Sequence, residues 1–177
     1  MKSQVGPPRR QAGQTLLEIL LAFSVSVVVL GGIVVGISTS LNNARFSKNQ
    51  NLANSYAQEG MSVVRRVRDL SWPDFTSKTN TYYCIAQGSL ELEEVLGSPP
   101  NRCRDDMNDK FLIEGIFYRE VELVHNPSPA PLDECGNGSK VTVTVSWSDS
   151  KCGVGAALCH KAELTSCFSN IDQIQFL

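Results

Sequence analysis

The chain is short of histidine, of closely spaced cysteine pairs and of basic stretches, and each shortage removes a class of chemistry. Only His125 and His160 occur in 177 residues. Zinc sites favour closely spaced Cys/His pairs; there is no Cys-x-x-Cys, and Cys159-His160, with Cys152 nearby, supplies a single adjacent pair. No metal and no cofactor is therefore expected. A Gly-rich phosphate loop and a nucleophile elbow are both missing, and Ser, His and Asp fall at no spacing that favours a triad. No catalytic residue is assigned, and the chain does not read as an enzyme. Of the 16 Lys+Arg, three (Lys2, Arg9 and Arg10) lie in the first 13 residues, leaving 13 against all 18 Asp+Glu. So acidic a remainder lacks the basic stripe a nucleic-acid binder needs, which argues against DNA as a partner.

Charge is also missing from residues 19–37, "ILLAFSVSVVVLGGIVVGI". These 19 uncharged residues are close to the length that crosses a bilayer as a helix. No small-x-small cleavage site follows them, so the segment is not an ordinary secretory signal that would be discarded. The basic residues before it put the N-terminus in the cytoplasm and the remainder outside. No proline interrupts the run, but Gly31, Gly32 and Gly36 do. They would either let the helix loosen or let another helix approach closely.

What is present after the apolar run has two characters. From residue 53 to 70, Ala53, Tyr56, Ala57, Gly60, Met61, Val64, Val67 and Leu70 recur mostly at steps of three or four, one stripe along a helix. Trp72-Pro73 should end that helix, and its polar stretch over 38–43 is where it would fray. Arg65, Arg66 and Arg68 read as its solvated face. Beyond it, "TYYCIA" (81–86), "FLIEGIFYREVELV" (111–124, one strand or two broken at Gly115), "KVTVTVSW" (140–147) and "KAELTSCF" (161–168) are strand candidates. In "KVTVTVSW" the residues Val141, Val143, Val145 and Trp147 alternate with Thr142, Thr144 and Ser146, as in a strand with one buried face. Connections rich in Pro, Gly and Asn separate the strands and imply an antiparallel meander. The fold class expected is α+β: a long N-terminal helix, half transmembrane and half amphipathic, packed on a C-terminal antiparallel sheet.

All six cysteines follow the apolar run, which points to disulfides in an oxidising compartment. Six allow fifteen connectivities. If 140–147 and 161–168 form a hairpin, Cys152 and Cys159 lie in its connection and can pair. Cys135 then falls near Cys167, and Cys84 is left for Cys103. Each such bond is expected to stabilise by about 2–4 kcal/mol.

One carboxylate, Glu18, sits at the mouth of the apolar run, five residues after Gly13. The stretch Gly13-Gln14-Thr15-Leu16-Leu17-Glu18-Ile19-Leu20-Leu21-Ala22, behind a short basic leader, resembles the type IV prepilin signature. It departs from it at Gln14, where phenylalanine is usual. The strands "YREVELV", "SKVTVTVSWSD" and "KAELTSCFSN" are similar to those of minor pilins and minor pseudopilins. The resemblance implies a pilin-like fold and three regions: a leader over 1–13, a transmembrane and assembly helix over 14–37, and a globular domain over 38–177 that includes the amphipathic half of the helix. It implies cleavage between Gly13 and Gln14 by a prepilin peptidase, N-methylation of Gln14, and an assembly role for Glu18 as the mate of a neighbouring subunit's amine. Implied partners are that peptidase, other pilins or pseudopilins, an inner-membrane assembly platform and membrane lipid. The implied location is the inner membrane, single-pass, and then a filament. The reading that follows is a minor pilin of a type IV pilus. The alternatives are a minor pseudopilin of a type II secretion system and a single-pass membrane protein with an extracytoplasmic binding or enzyme domain.

Overall fold

The computed structural model describes residues 14–78, 81–95, 103–104, 109–125, 135, 138–149, 151–153 and 158–170. The leader expected over 1–13 lies outside them. By its internal contacts the chain divides into Met1–Arg45 and Phe46–Leu177. A single helix, α1 (Gln14–Leu70), supplies residues to both.

In the first unit, every large apolar side chain between positions 16 and 37 is more than half exposed. The most apolar 18-residue window has a mean hydropathy of 2.6, and the helix is long and apolar enough to cross a membrane. Its hydroxyls are satisfied within the helix. Ser24 Oγ donates to Leu21 O at 2.8 Å, Ser26 Oγ to Ala22 O at 2.7 Å, Ser38 Oγ to Val34 O at 2.9 Å and Thr39 Oγ1 to Val35 O at 3.0 Å. Bonds one turn back let these residues enter hydrocarbon without unpaired donors. The same bonds at Ser38 and Thr39 accompany unbroken helix through 38–43, where fraying was expected.

In the second unit, Ala53, Ala57, Met61, Val63 and Val64 of α1 are buried, with Phe46, Leu52, Tyr56 and Val67 packed at their margin. The expected stripe holds except at its last member. Leu70 is 75 % exposed, whereas Val63, seven residues earlier on the same helical edge, is buried. The layer covering that edge ends between them. The chain then breaks at Ser71 and starts α2 (Trp72–Ser77), where the Ser71 hydroxyl accepts from Asp74 N. Pro73 therefore sits in the first turn of a new helix, where its missing N–H is harmless. Phe75 anchors α2 in the core against Phe168.

The sheet comprises β1 (Thr81–Cys84), β2 (Glu93–Glu94), β3 (Leu112–Ile113), β4 (Phe117–His125), β5 (Ser139–Trp147) and β6 (His160–Phe168). Its order is β2-β1-β4-β5-β6 with β3 also on β4, and every pairing is antiparallel. Long consecutive strands β4, β5 and β6 form the expected meander. The break at Gly115 is a tight turn with φ of 48° at Glu114 and 70° at Gly115, closed by Ile116 N to Ile113 O at 3.1 Å. The alternation in β5 is complete. Val141, Val143, Val145 and Trp147 are fully buried, and the residues between them are not. Each fully buried side chain of that size contributes about 1.5–3 kcal/mol. The arrangement is α+β, with the amphipathic part of α1 on one face of an antiparallel sheet.

Candidate assembly site and the disulfide-bonded domain

Gly13 lies outside the described residues, and helix begins at Gln14, the residue after it. Glu18 is exposed and stands one helical turn after Gln14. It is the sole charged residue between Gln14 and Arg45. Its neighbours Leu16, Leu17, Ile19, Leu20 and Leu21 are all apolar and exposed. A carboxylate so placed is expensive in hydrocarbon, by about 2.5–3.5 kcal/mol at mid-bilayer and less toward the interface. A counter-charge on a neighbouring helix would offset that cost. Gly31, Gly32 and Gly36 lie farther along the same helix, with open space where a Cβ would stand.

Residues 8–34 match the family model described as the prokaryotic N-terminal methylation motif. The chain carries the type IV prepilin signature. That segment contains Gly13, Gln14 and Glu18. No curated protein and no solved structure matches the chain. The signature supports a type IV pilin-like or pseudopilin-like precursor that acts as a structural subunit. It implies processing by a prepilin peptidase and assembly with other pilins. The apolar helix suits the single-pass inner-membrane anchor typical of prepilins.

The second unit is closed by three disulfides: Cys84–Cys103, Cys135–Cys167 and Cys152–Cys159. The first is buried. Cys159 and Cys167 reach the surface. Cys135–Cys167 joins the approach to β5 to the end of β6, where Ser139 pairs with Phe168. Arg65 and Arg66 are exposed, while Arg68 lies on the Phe168 ring at 5.1 Å and pairs with Asp69 at 2.6 Å.

Two groups escaped the sequence reading. Arg119, on β4, has no exposed surface. It donates through Nη1 to Tyr56 O at 3.1 Å and through Nη2 to Ala86 O at 3.2 Å, with Glu59 Oε1 3.4 Å from Nη1. Burial pulls its pKa below the usual value, and Glu59 works in the opposite direction. Its signal was parity. Phe117, Val121 and Leu123 alternate inward, and Arg119 shares their face. The second group is Asp149 with His160. His160 Nε2 lies 3.0 Å from Asp149 Oδ1, which also accepts from Lys151 N at 2.8 Å. Burial raises the Asp149 pKa, but the His160 hydrogen bond, the Lys151 N–H and the charges of both residues outweigh it, and the net direction is down. The hairpin register, which sets Trp147 opposite His160, was the available clue.

Proposed function

We propose that this chain is a minor pilin of a type IV pilus, cut between Gly13 and Gln14, N-methylated at Gln14 and incorporated through its apolar helix. The observation that carries the reading is a lone acid, Glu18, in the otherwise uncharged apolar first part of α1 within the matched prepilin segment. After cleavage Glu18 is the fifth residue of the mature chain. Its carboxylate meets the new amine of the neighbouring subunit, and the pair fixes axial register because a slipped subunit leaves both charges unpaired in apolar surroundings. Three disulfides and long connections favour a subunit exposed on a pilus over one retained in a secretion machine.

The deciding experiment is mass spectrometry of the mature N-terminus in cells with and without prepilin peptidase, joined to fractionation of sheared filaments. The expected result is an N-terminal Gln14, methylated, in the pilus fraction, appearing only with the peptidase. An N-terminus at Met1 in wild-type cells overturns the pilin reading. Correct processing with recovery only alongside a type II secretion complex assigns the chain to a pseudopilus instead.

A further inference from the structure

Outside the assembly helix, the connection between β5 and β6 and the first residue of β6 together hold four metal-type donors. The carboxylate of Asp149, the sulfurs of Cys152 and Cys159 and the imidazole of His160 all lie within 4.8 Å of one another. Cys152 and Cys159 are bonded, with Cα atoms 5.6 Å apart, so both sulfurs are closed to metal in this state. We infer that reductive opening of Cys152–Cys159 turns this cluster into a tetrahedral zinc site of two thiolates, one imidazole and one carboxylate.

The distances suit the change. Zn–N and Zn–O bonds of about 2.0–2.2 Å place neighbouring ligand atoms roughly 3.3–3.5 Å apart. His160 Nε2 and Asp149 Oδ1 stand 3.0 Å apart already. Zn–S bonds of about 2.3 Å require the two sulfurs to part to roughly 3.8 Å, which a Cα separation of 5.6 Å allows. Supporting groups are in place. Asp149 N–H points at Cys152 Sγ from 3.3 Å, where it would stabilise a thiolate, and Lys151 N–H fixes the Asp149 carboxylate. Phe46 and Trp147 flank the imidazole at centroid distances of 5.0 and 5.4 Å, an apolar wall that orients the ring. Zinc fits this donor set because it accepts sulfur, nitrogen and oxygen in four-coordinate geometry.

The chemistry balances with a named reductant. A trialkyl phosphine attacks one sulfur, the S–S bond breaks, water supplies the oxygen of the phosphine oxide, and two protons end on the two thiols. Zinc binding then releases those protons. Cys159 is exposed to such a reagent, whereas Cys84–Cys103 is buried and should survive mild treatment.

The test uses the full chain in detergent under limited phosphine reduction without oxygen, with and without zinc, followed by an alkylating reagent and peptide mass spectrometry. Scoring only molecules that retain Cys84–Cys103 keeps the folded population in view. Loss of a group that merely supports a metal ligand lowers affinity about 10–100-fold, so the effects here should be at least that large. Stoichiometric zinc should slow alkylation of Cys152 and Cys159 about tenfold or more, and leave Cys135 and Cys167 unaffected. His160→Ala should abolish the protection, and cobalt in place of zinc should give intense thiolate-to-metal absorption. Equal alkylation of Cys152 and Cys159 with and without zinc overturns the inference. So does protection that survives unchanged in both His160→Ala and Asp149→Asn.

Discussion

Gly60 on α1 faces Arg119 on β4 so closely that a Cβ at Gly60 would stand 2.8 Å from Arg119 Cδ and 2.9 Å from Val143 Cγ1. Neither neighbour yields easily. The guanidinium beyond Cδ is held by Tyr56 O and Ala86 O, and Val143 is a buried β-branched residue in a central strand. Helix propensity alone would make Gly60→Ala stabilising by about 1 kcal/mol. Overpacking of a filled core costs about 1–3 kcal/mol and acts against it. Gly60→Ala in the second unit is therefore expected to lose about 1 kcal/mol net, read as a lower urea midpoint at unchanged slope. A raised midpoint would show that the sheet moves away freely.

Arg119 links three segments through its side chain: the helix at Tyr56 and Glu59, its own strand, and the chain after β1 at Ala86. Arg119→Ala removes buried packing and leaves Ala86 O without that donor, and should destabilise by about 2–4 kcal/mol. Glu59 is half exposed and can return to water, so no buried charge is stranded. Arg119→Met, which refills the volume without a charge to desolvate, should recover more than half of the loss. Equal destabilisation by both variants in chemical denaturation would contradict the packing account.

These two residues mark where sequence reading stopped. β5 was legible because its apolar residues all share one parity, and the break in 111–124 was legible because Gly115 tolerates positive φ. Arg119 has the inward parity too, but an arginine is normally solvated, and the Gly60 notch, two carbonyls on other segments and the Glu59 carboxylate make its burial tolerable. The two carbonyls lie 63 and 33 residues away, beyond the reach of any local pattern. The exposed end of the stripe at Leu70 has the same origin: periodicity describes a helical edge, while the extent of what covers it is tertiary. In the candidate site the residues were named through the resemblance to the prepilin signature, which one continuous segment of chain holding Gly13, Glu18 and the apolar run carries by itself.

Asp149 should govern part of the acid limb of stability. Its folded-state pKa lies below the ordinary aspartate value, so the unfolded chain binds the proton more readily. The contribution is present above the ordinary value of about 4 and is lost as pH falls through the lower folded value. Asp149→Asn should flatten the fall in denaturation midpoint below about pH 4. Identical pH profiles for wild type and Asp149→Asn would remove the carboxylate from that role.

Glu18 makes the most discriminating functional prediction because its two possible roles separate in one experiment. If it only marks the membrane interface, Glu18→Gln should behave as wild type, since glutamine is polar and similar in size. If it neutralises a neighbour's amine, Glu18→Gln and Glu18→Ala both lose the charge, and both leave an unmatched ammonium in apolar surroundings. Glu18→Asp keeps the charge on a shorter arm. Cleavage after Gly13 and membrane insertion should persist in all three, since neither step needs the carboxylate to find a partner. Incorporation into sheared filaments should then fall about tenfold or more for Gln and Ala, a loss of at least 1.4 kcal/mol in register energy, with Asp intermediate. Filament incorporation of Glu18→Gln at the wild-type level, with processing intact, would refute the pairing role and return Glu18 to the membrane interface.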